Sequence, residues 1–349
     1  MTPWMIYGAN GYTGELIARE AARRGHRPII AGRNAEALDR LARELNLEAR
    51  VFPVEQPHLA DVGLVLHCAG PFSKTSAPMV DACLRGSVHY LDITGEISVF
   101  EAIMARSAEA VRAGVTLLPG VGFDVVPTDC IAATLAHRLP GATHLELAFS
   151  SRRGGLSPGT LKTMIEGIGE GGAVRRDGKI VRVPFAWDVR EIPFATGSRT
   201  AMTIPWGDVS TAFHTTGIPN IRVYSASSPK GIRRARLIMR AAPLLGMRPI
   251  RSLLQKLAGR RKGPDEKARE RGWIDLWGRA SDGANEVTMT MTAPEAYTFT
   301  MLSALTAVES VLSSPLRAGS FTPARYFGAD FAATIVARAD AMRRPPRSE

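Results

Sequence analysis

Met5-Ile6-Tyr7-Gly8-Ala9-Asn10-Gly11-Tyr12-Thr13-Gly14 is the stretch on which the reading of this 349-residue chain turns. An apolar run, Trp4 to Tyr7, stops at three glycines spaced three apart, and a segment of helical character, residues 15–21, follows at once. Strand, glycine turn and helix in that order can offer bare amides to a diphosphate. Glycine admits backbone angles closed to other residues, and the partial positive charge of a helix N-terminus favours an anion. Glycines also cap ordinary turns, so the weight rests on their place, right after a strand and opening a helix. The expectation is a dinucleotide site in which Gly8, Asn10, Gly11, Tyr12, Thr13 and Gly14 surround the diphosphate.

The next apolar run, residues 28–32, ends in Arg33-Asn34. At this position NAD sites usually carry Asp or Glu for the adenosine 2′-hydroxyl, whereas an arginine suits a 2′-phosphate. The first carboxylate here is Glu36, already inside the next helix. An arginine at a strand end is also compatible with plain solvation. Behind a glycine turn, NADP is the expected cofactor, with Arg33 and Asn34 at its adenosine end.

Further strands are expected at residues 50–54, 62–68, 88–92 and 115–118, with helices at 34–46, 78–85 and 98–113. The run Val62-Gly63-Leu64-Val65-Leu66-His67-Cys68 is nearly all apolar, as in a strand buried on both faces. Alternation of strand and helix makes residues 1–126 a doubly wound, parallel Rossmann sheet of α/β class. From 127 to 313 the pattern shifts to a second, α+β domain with a mixed, largely antiparallel sheet. A helix at 127–138 and a strand at 144–150 lead into two hairpins, at Asp177-Gly178 and near Asp282-Gly283. Pro294 is expected to open an apolar helix reaching Leu312. Residues 314–349 should pack back on the body, with a disordered tail at 343–349.

Composition narrows the class. Hydrophobic residues make up 45% of the chain, enough for a sizeable core. Three widely spaced cysteines, Cys68, Cys83 and Cys130, speak for a reducing compartment and against a disulfide framework or zinc site. No metal is expected. The start shows no signal peptide and no apolar run suffices to span a bilayer, so a cytoplasmic location is expected. The net charge of +11 is concentrated: residues 209–264 hold twelve Lys or Arg and no Asp or Glu. Within 230–262, two amphipathic basic helices are expected, the first with Arg233, Arg236 and Arg240 on one face and Ala235, Ile238, Met239 and Ala242 opposite. The second carries Ile250, Leu253, Leu254, Leu257 and Ala258 as its apolar stripe. Either the stripes pack on the body and the charges are solvated, or the helices meet an anionic membrane peripherally. Nucleic acid is disfavoured, because no aromatic residue follows Tyr224 in this segment to stack bases.

In open α/β sheets the chemistry lies at the carboxyl ends of the strands. Placed there are Cys68, Ala69, Gly70 and Pro71 against the ribose and nicotinamide side, and Phe72, Thr94, Gly122, Phe123 and Asp129 along a substrate pocket. Glu96 and Asp124 are the candidate catalytic groups, although Asp124 and Asp129 could each equally serve a helix N-terminus. No tyrosine has a lysine four residues on, and no GxSxG or Walker A is present.

Five motifs in order, Gly8 to Gly14, Ala31-Gly32-Arg33, Cys68 to Phe72, Gly86 to Glu96 and Gly122 to Asp129, resemble the saccharopine dehydrogenase-like oxidoreductases. The similarity is to the branch related to trans-acting enoyl reductases of bacterial lipid synthesis. The later Gly319-Ser320-Phe321-Thr322-Pro323-Ala324 and Phe327-Gly328 extend it. The resemblance implies an NADP-binding Rossmann domain, cofactor roles for Gly8, Gly11, Gly14 and Arg33, and reduction of a C=C, C=O or C=N bond. Lys74-Thr75-Ser76 departs from the Tyr and Gly frequent in the family after Gly-Pro. The expected function is an NADPH-dependent reductase of an apolar or lipid-like acyl substrate, its carbon held between Gly70-Pro71-Phe72 and Gly122-Phe123-Asp124. An imine reductase of amino-acid or polyamine metabolism stays open, with Arg152, Arg153 and Lys162 as its charged residues. So does a non-catalytic, membrane-associated NADP-binding protein. A homodimer is compatible with either reading.

Overall fold

The structure, a computed structural model, describes residues 2–152, 155–169, 171–240, 247–261, 263–315 and 317–343. In the first sheet β1 (Trp4–Tyr7), β2 (Ile29–Gly32), β3 (Ala49–Val51), β4 (Leu64–His67), β5 (His89–Asp92) and β6 (Thr116–Leu118) run parallel in the spatial order β6-β5-β4-β1-β2-β3. The order reverses at β1, so the β1 and β4 carboxyl ends flank the switch point where open sheets bind ligands. Trp4 and Ile6 enter one core and Met5 and Tyr7 the other, which is why every residue of β1 is buried. On the first face lie α1 (Tyr12–Arg23) and α2 (Ala35–Leu45); on the second lie α3 (Phe72–Arg85), α4 (Ile97–Met104) and α5 (Ser107–Ala113).

Two helices differ from the sequence reading. α3 begins at Phe72, six residues before the expected Pro78, which sits inside it. The early start has a partner remote in sequence: the Glu96 carboxylate accepts from the Phe72 and Ser73 amides at 2.7 and 2.9 Å and completes the helix N-terminus. The expected helix at 98–113 is two helices. Arg106, at the break, pairs with Asp81 and Glu109.

α6 (Val126–Arg138) leads into the second sheet, formed by β7 (His144–Arg152), β8 (Gly172–Arg176), β9 (Lys179–Val183), β10 (Val189–Phe194), β11 (Gly197–Thr203), β12 (Asn220–Ala226), β13 (Trp273–Ser281) and β14 (Glu286–Pro294). Its order is β10-β11-β12-β7-β13-β14, antiparallel except for β12 beside β7, with the β8–β9 hairpin hung on β12. Asp177 and Gly178 both have positive φ, 50° and 75°, as the tight turn of that hairpin requires. α6 lies close on β13, since a Cβ at Gly278 would collide with Ile131.

The helices of the second half are α7 (Pro158–Glu166), α8 (Asp208–Thr216), α9 (Pro229–Arg240), α10 (Arg248–Gly259), α11 (Glu266–Arg271), α12 (Ala296–Ser313), α13 (Pro323–Phe327) and α14 (Phe331–Arg343). α12 starts two residues after the expected Pro294, which closes β14 instead. The Glu295 carboxylate caps it through the Tyr297 and Thr298 amides. α12 packs on α1 and reaches β4, so one core runs through both sheets. β15 (Gly319–Ser320) then adds a seventh parallel strand beside β6. Residues 344–349 of the expected tail lie outside the described residues.

Candidate active site

Each glycine of the β1–α1 turn has its own reason. Gly8 has a φ of +87°, and a Cβ on it would lie 2.8 Å from the Ala69 amide nitrogen. Gly14 has ordinary helical geometry, but a Cβ there would strike the Gly8 carbonyl oxygen, so its absence lets α1 lie against the end of β1. Gly11 has a φ of −82° and is the N-cap. Unusual backbone angles are therefore needed at Gly8 alone, which corrects the sequence reading for the other two. The turn is held by Gly8 N–H donating to Ala31 O at 2.7 Å and Gly11 N–H to Gly8 O at 2.9 Å. The Tyr12, Thr13 and Gly14 amides open α1 and have no intrahelical acceptor, as at any helix start. At the end of β2, Arg33 and Asn34 are exposed, and Asn34 Oδ1 accepts from Ala37 N–H to cap α2. Gly32 leaves space for Asn10, whose Oδ1 would be 2.9 Å from a Cβ there. A cradle that a Cβ would fill, amides at a helix start and an exposed arginine at the β2 end together fit an adenine dinucleotide carrying a 2′-phosphate.

The β4 end, Cys68-Ala69-Gly70-Pro71, forms the opposite wall, with Ala69 against Gly8. Thr75 Oγ1 donates to Ala69 O at 2.7 Å and fixes this turn on α3. Glu96 differs from its expected role. Both carboxylate oxygens are committed to amides of α3, so it positions the Gly70-Pro71-Phe72 turn and is not a proton donor. Thr94 and Asp129 are corrections too. Thr94 is fully buried, with its amide on Asp92 and its hydroxyl accepting from Glu96 N–H. Asp129 is fully buried and accepts from Thr215 Oγ1 at 2.6 Å and the Ala324 amide at 2.8 Å, tying α6, α8 and α13 together. Neither lines a pocket.

Asp124 holds the position its spacing implied. It lies against Gly95, where a Cβ would come within 2.5 Å of Oδ2, and it stays partly exposed. Burial first, and then the nearby Glu96, push its pKa up to about 7. Two other acids share this floor. Asp92 accepts from the Thr94 and Gly120 amides and Tyr90 Oη, and burial lifts it to about 6. Asp208 is fully buried without a hydrogen-bond partner for either oxygen among the described residues, and its pKa is raised well above the ordinary range, chiefly by burial.

Residues the sequence did not single out complete the site. Trp206 Nε1 donates to Asp124 O at 2.5 Å, and Phe149 lies 4.9 Å from the Trp206 ring and 6.0 Å from Phe123. Phe149 and Trp206 are partly exposed, so an apolar wall stands beside the 123–124 main chain. Thr300 Oγ1 accepts from the Phe123 amide at 3.0 Å, and Ser303 Oγ donates to Val121 O at 2.7 Å, so α12 braces the 121–124 loop. Thr300 and Ser303 are small polar residues three apart in an apolar helix, a signal available in the sequence. Trp206 and Phe149 offered none. The charged residues of the imine reading do not converge here. Arg152 is an odd number of positions along β7 from Phe149, on the other sheet face. Lys162 lies against Gly259 of α10, and Arg153 is outside the described residues. Among the described residues no group of His, Cys, Asp or Glu could hold a metal. Two surface hollows, around Glu146 and Arg279 and around His137 and Arg325, lie away from Asp124.

Residues 4–118 match the saccharopine dehydrogenase NADP binding domain family. A trans-acting enoyl reductase of Mycobacterium bovis is 30% identical over 138 residues, covering 36% of this chain and 33% of that protein. A human saccharopine dehydrogenase-like oxidoreductase is 28% identical over 207 residues, 49% of this chain and 47% of that protein. The chain thus spans less than half the length of these curated relatives. In fold it is similar to the saccharopine dehydrogenase (L-Glu forming) of Saccharomyces cerevisiae, with a TM-score of 0.64 at 12% identity over 98% of each chain.

Proposed function

From the match of residues 4–118 to the saccharopine dehydrogenase NADP binding domain family, we propose that this protein is an oxidoreductase that reduces a C=C or C=O bond of an apolar acyl substrate. The observation that carries the reading is the Asp124 carboxyl, its pKa raised to about 7 by burial and by Glu96, in a loop whose main chain is held by the Trp206 indole, with the Phe149 ring packed on Trp206. The name of the Mycobacterium bovis relative supports the reading, since it describes enoyl reduction.

In this reading Gly8, Gly11 and Gly14 keep the diphosphate close to the α1 amides, and Arg33 pairs with the 2′-phosphate. Bound NADPH supplies a hydride. Asp124, still protonated near pH 7, gives its proton to the atom that gains charge as the double bond is reduced. Glu96 contributes twice: it anchors the Gly70-Pro71-Phe72 wall, and its charge helps Asp124 retain the proton. The aromatic wall excludes water and accepts an acyl chain, and neither Arg152 nor Lys162 stands here to pair with the carboxylates of an amino-acid-derived imine. NADPH oxidation measured against enoyl esters, keto esters and cyclic imines tests this. Turnover that rises with acyl chain length is expected; turnover confined to charged imines, or to no acceptor, overturns it.

A further inference from the structure

The nucleotide cleft is bridged from rim to rim by one structural unit. On the phosphate side, Tyr12 Oη donates to Pro264 O at 2.5 Å, Arg269 Nη1 donates to Tyr12 Oη at 3.1 Å, and the Tyr12 ring meets the Tyr297 ring edge-on at 4.9 Å. Tyr297 Oη in turn accepts from Ser157 N–H, just before α7. On the other rim, Lys74 of α3 reaches Glu166 at the end of α7 at 2.6 Å. Glu166 also accepts from Gln255 and lies 3.9 Å from Arg251, which joins α7 to α10. The packed pair α7–α10, together with the 264–269 segment that follows it, therefore joins the two rims, and Glu166 is held among Lys74, Arg251 and Gln255.

Its outer side is unlike that of an ordinary surface helix pair. Met164, Leu253 and Leu257 are 58%, 58% and 50% exposed, and Leu237 and Ile238 of the preceding α9 are 65% and 57% exposed. Of the two alternatives read from the sequence, packing of the apolar stripes on the body does not hold at Ile238, Leu253 and Leu257. Around them stand exposed Arg233, Arg234, Lys256, Arg260 and Arg261, in a segment without a carboxylate from 209 to 264. Exposed leucines beside an all-basic polar face match a surface that is both anionic and able to accept apolar side chains. A second copy would set like charges against one another. A nucleic acid would leave the leucines without a partner and find no aromatic ring between 225 and 264.

We propose that the α7–α10 bridge, with α9, docks on an anionic phospholipid bilayer, with Met164, Leu253 and Leu257 entering the acyl boundary and the basic residues contacting headgroups. Docking follows from this surface alone; that a lipid-borne acceptor then enters the cleft beside the bridge rests on the reductase reading. The test is co-sedimentation of the full chain with vesicles of phosphatidylcholine alone or mixed with phosphatidylglycerol, with NADPH binding measured on the same samples.

Binding is expected only to the phosphatidylglycerol vesicles. K256E/R260E/R261E should lower the partition coefficient roughly a hundredfold, and L253E/L257E by about tenfold or more. V111E/R112E, a matched pair exposed on α5, should bind as the unaltered protein does. Retained NADPH binding in every variant shows that the fold is intact and keeps this result separate from the cofactor assignment. No binding to anionic vesicles overturns the proposal, as does binding that survives either altered set. Loss through the charge changes alone, with L253E/L257E neutral and with RNA or an acidic polypeptide competing, marks a plain polyanion patch and overturns it as well.

Discussion

Asp124 keeps its proton to about pH 7 because protein surrounds its carboxyl and the Glu96 carboxylate lies near. An acid whose pKa is raised by folding binds a proton in the folded state where the unfolded chain has lost it. Its contribution to stability is therefore full below the unfolded value and declines as pH rises through the folded one. Asp124→Asn should accordingly be the more stable protein by up to about 4 kcal/mol at about pH 8.5, with no gain near about pH 3, in denaturant melts. In turnover the same variant should lose about a hundredfold or more while NADPH binding is unchanged. The unaltered enzyme should slow as pH rises past about 7. At the other end of the cleft, Arg33→Ala should weaken NADPH by about ten- to a hundredfold and leave NADH nearly untouched, read by fluorescence titration. Equal losses for the two cofactors would remove Arg33 from the 2′-phosphate. Arg33 was legible because its place is set by local sequence, one residue past a strand end. The role of Glu96 was not, because its partners are amides 24 and 23 residues away that exist only once β4 and β5 are paired.

α3 illustrates how an element can owe its start to a distant residue. Glu96→Gln keeps one of the two acceptors, sets an NH2 against the other amide and removes the charge at the helix N-terminus, which should cost about 1 to 2 kcal/mol in thermal or denaturant unfolding. It should also shift the alkaline limb of the turnover profile to lower pH, because Asp124 loses the neighbour that helps hold its proton. A variant that only loosened the fold would lower stability without moving that limb. Elements whose signals are local were readable: the Asp177-Gly178 hairpin, α2 from its leucine spacing, and β14, whose exposed threonines alternate with half-buried residues. Those shaped by tertiary partners were not. Pro78 looked like a helix start and is an interior residue, and Pro294 looked like another and ends a strand.

At the scale of the molecule, the chain does not divide along its sequence as cleanly as the change of pattern near Val126 suggested. α12 follows the second sheet yet packs on α1, and Gly319–Ser320 extends the first sheet. The cleft floor is thus braced from both halves: Thr300 and Ser303 hold the 121–124 loop, and Trp206 holds Asp124. The α7–α10 pair and the 264–269 segment after it join the two rims of the same cleft, at Lys74 and at Tyr12. Lys74, which departs from the resembled pattern, has a use here that its own sequence neighbourhood could not show. The most direct test of the whole account is transfer of label from NADPH deuterated at the nicotinamide C4 into an enoyl or keto acyl ester, followed by mass spectrometry. The account predicts deuterium in the reduced acyl product, at a rate that increases with chain length and collapses in Asp124→Asn. Deuterium appearing only in a reduced imine, or a label that never leaves NADPH although the cofactor binds, would contradict it.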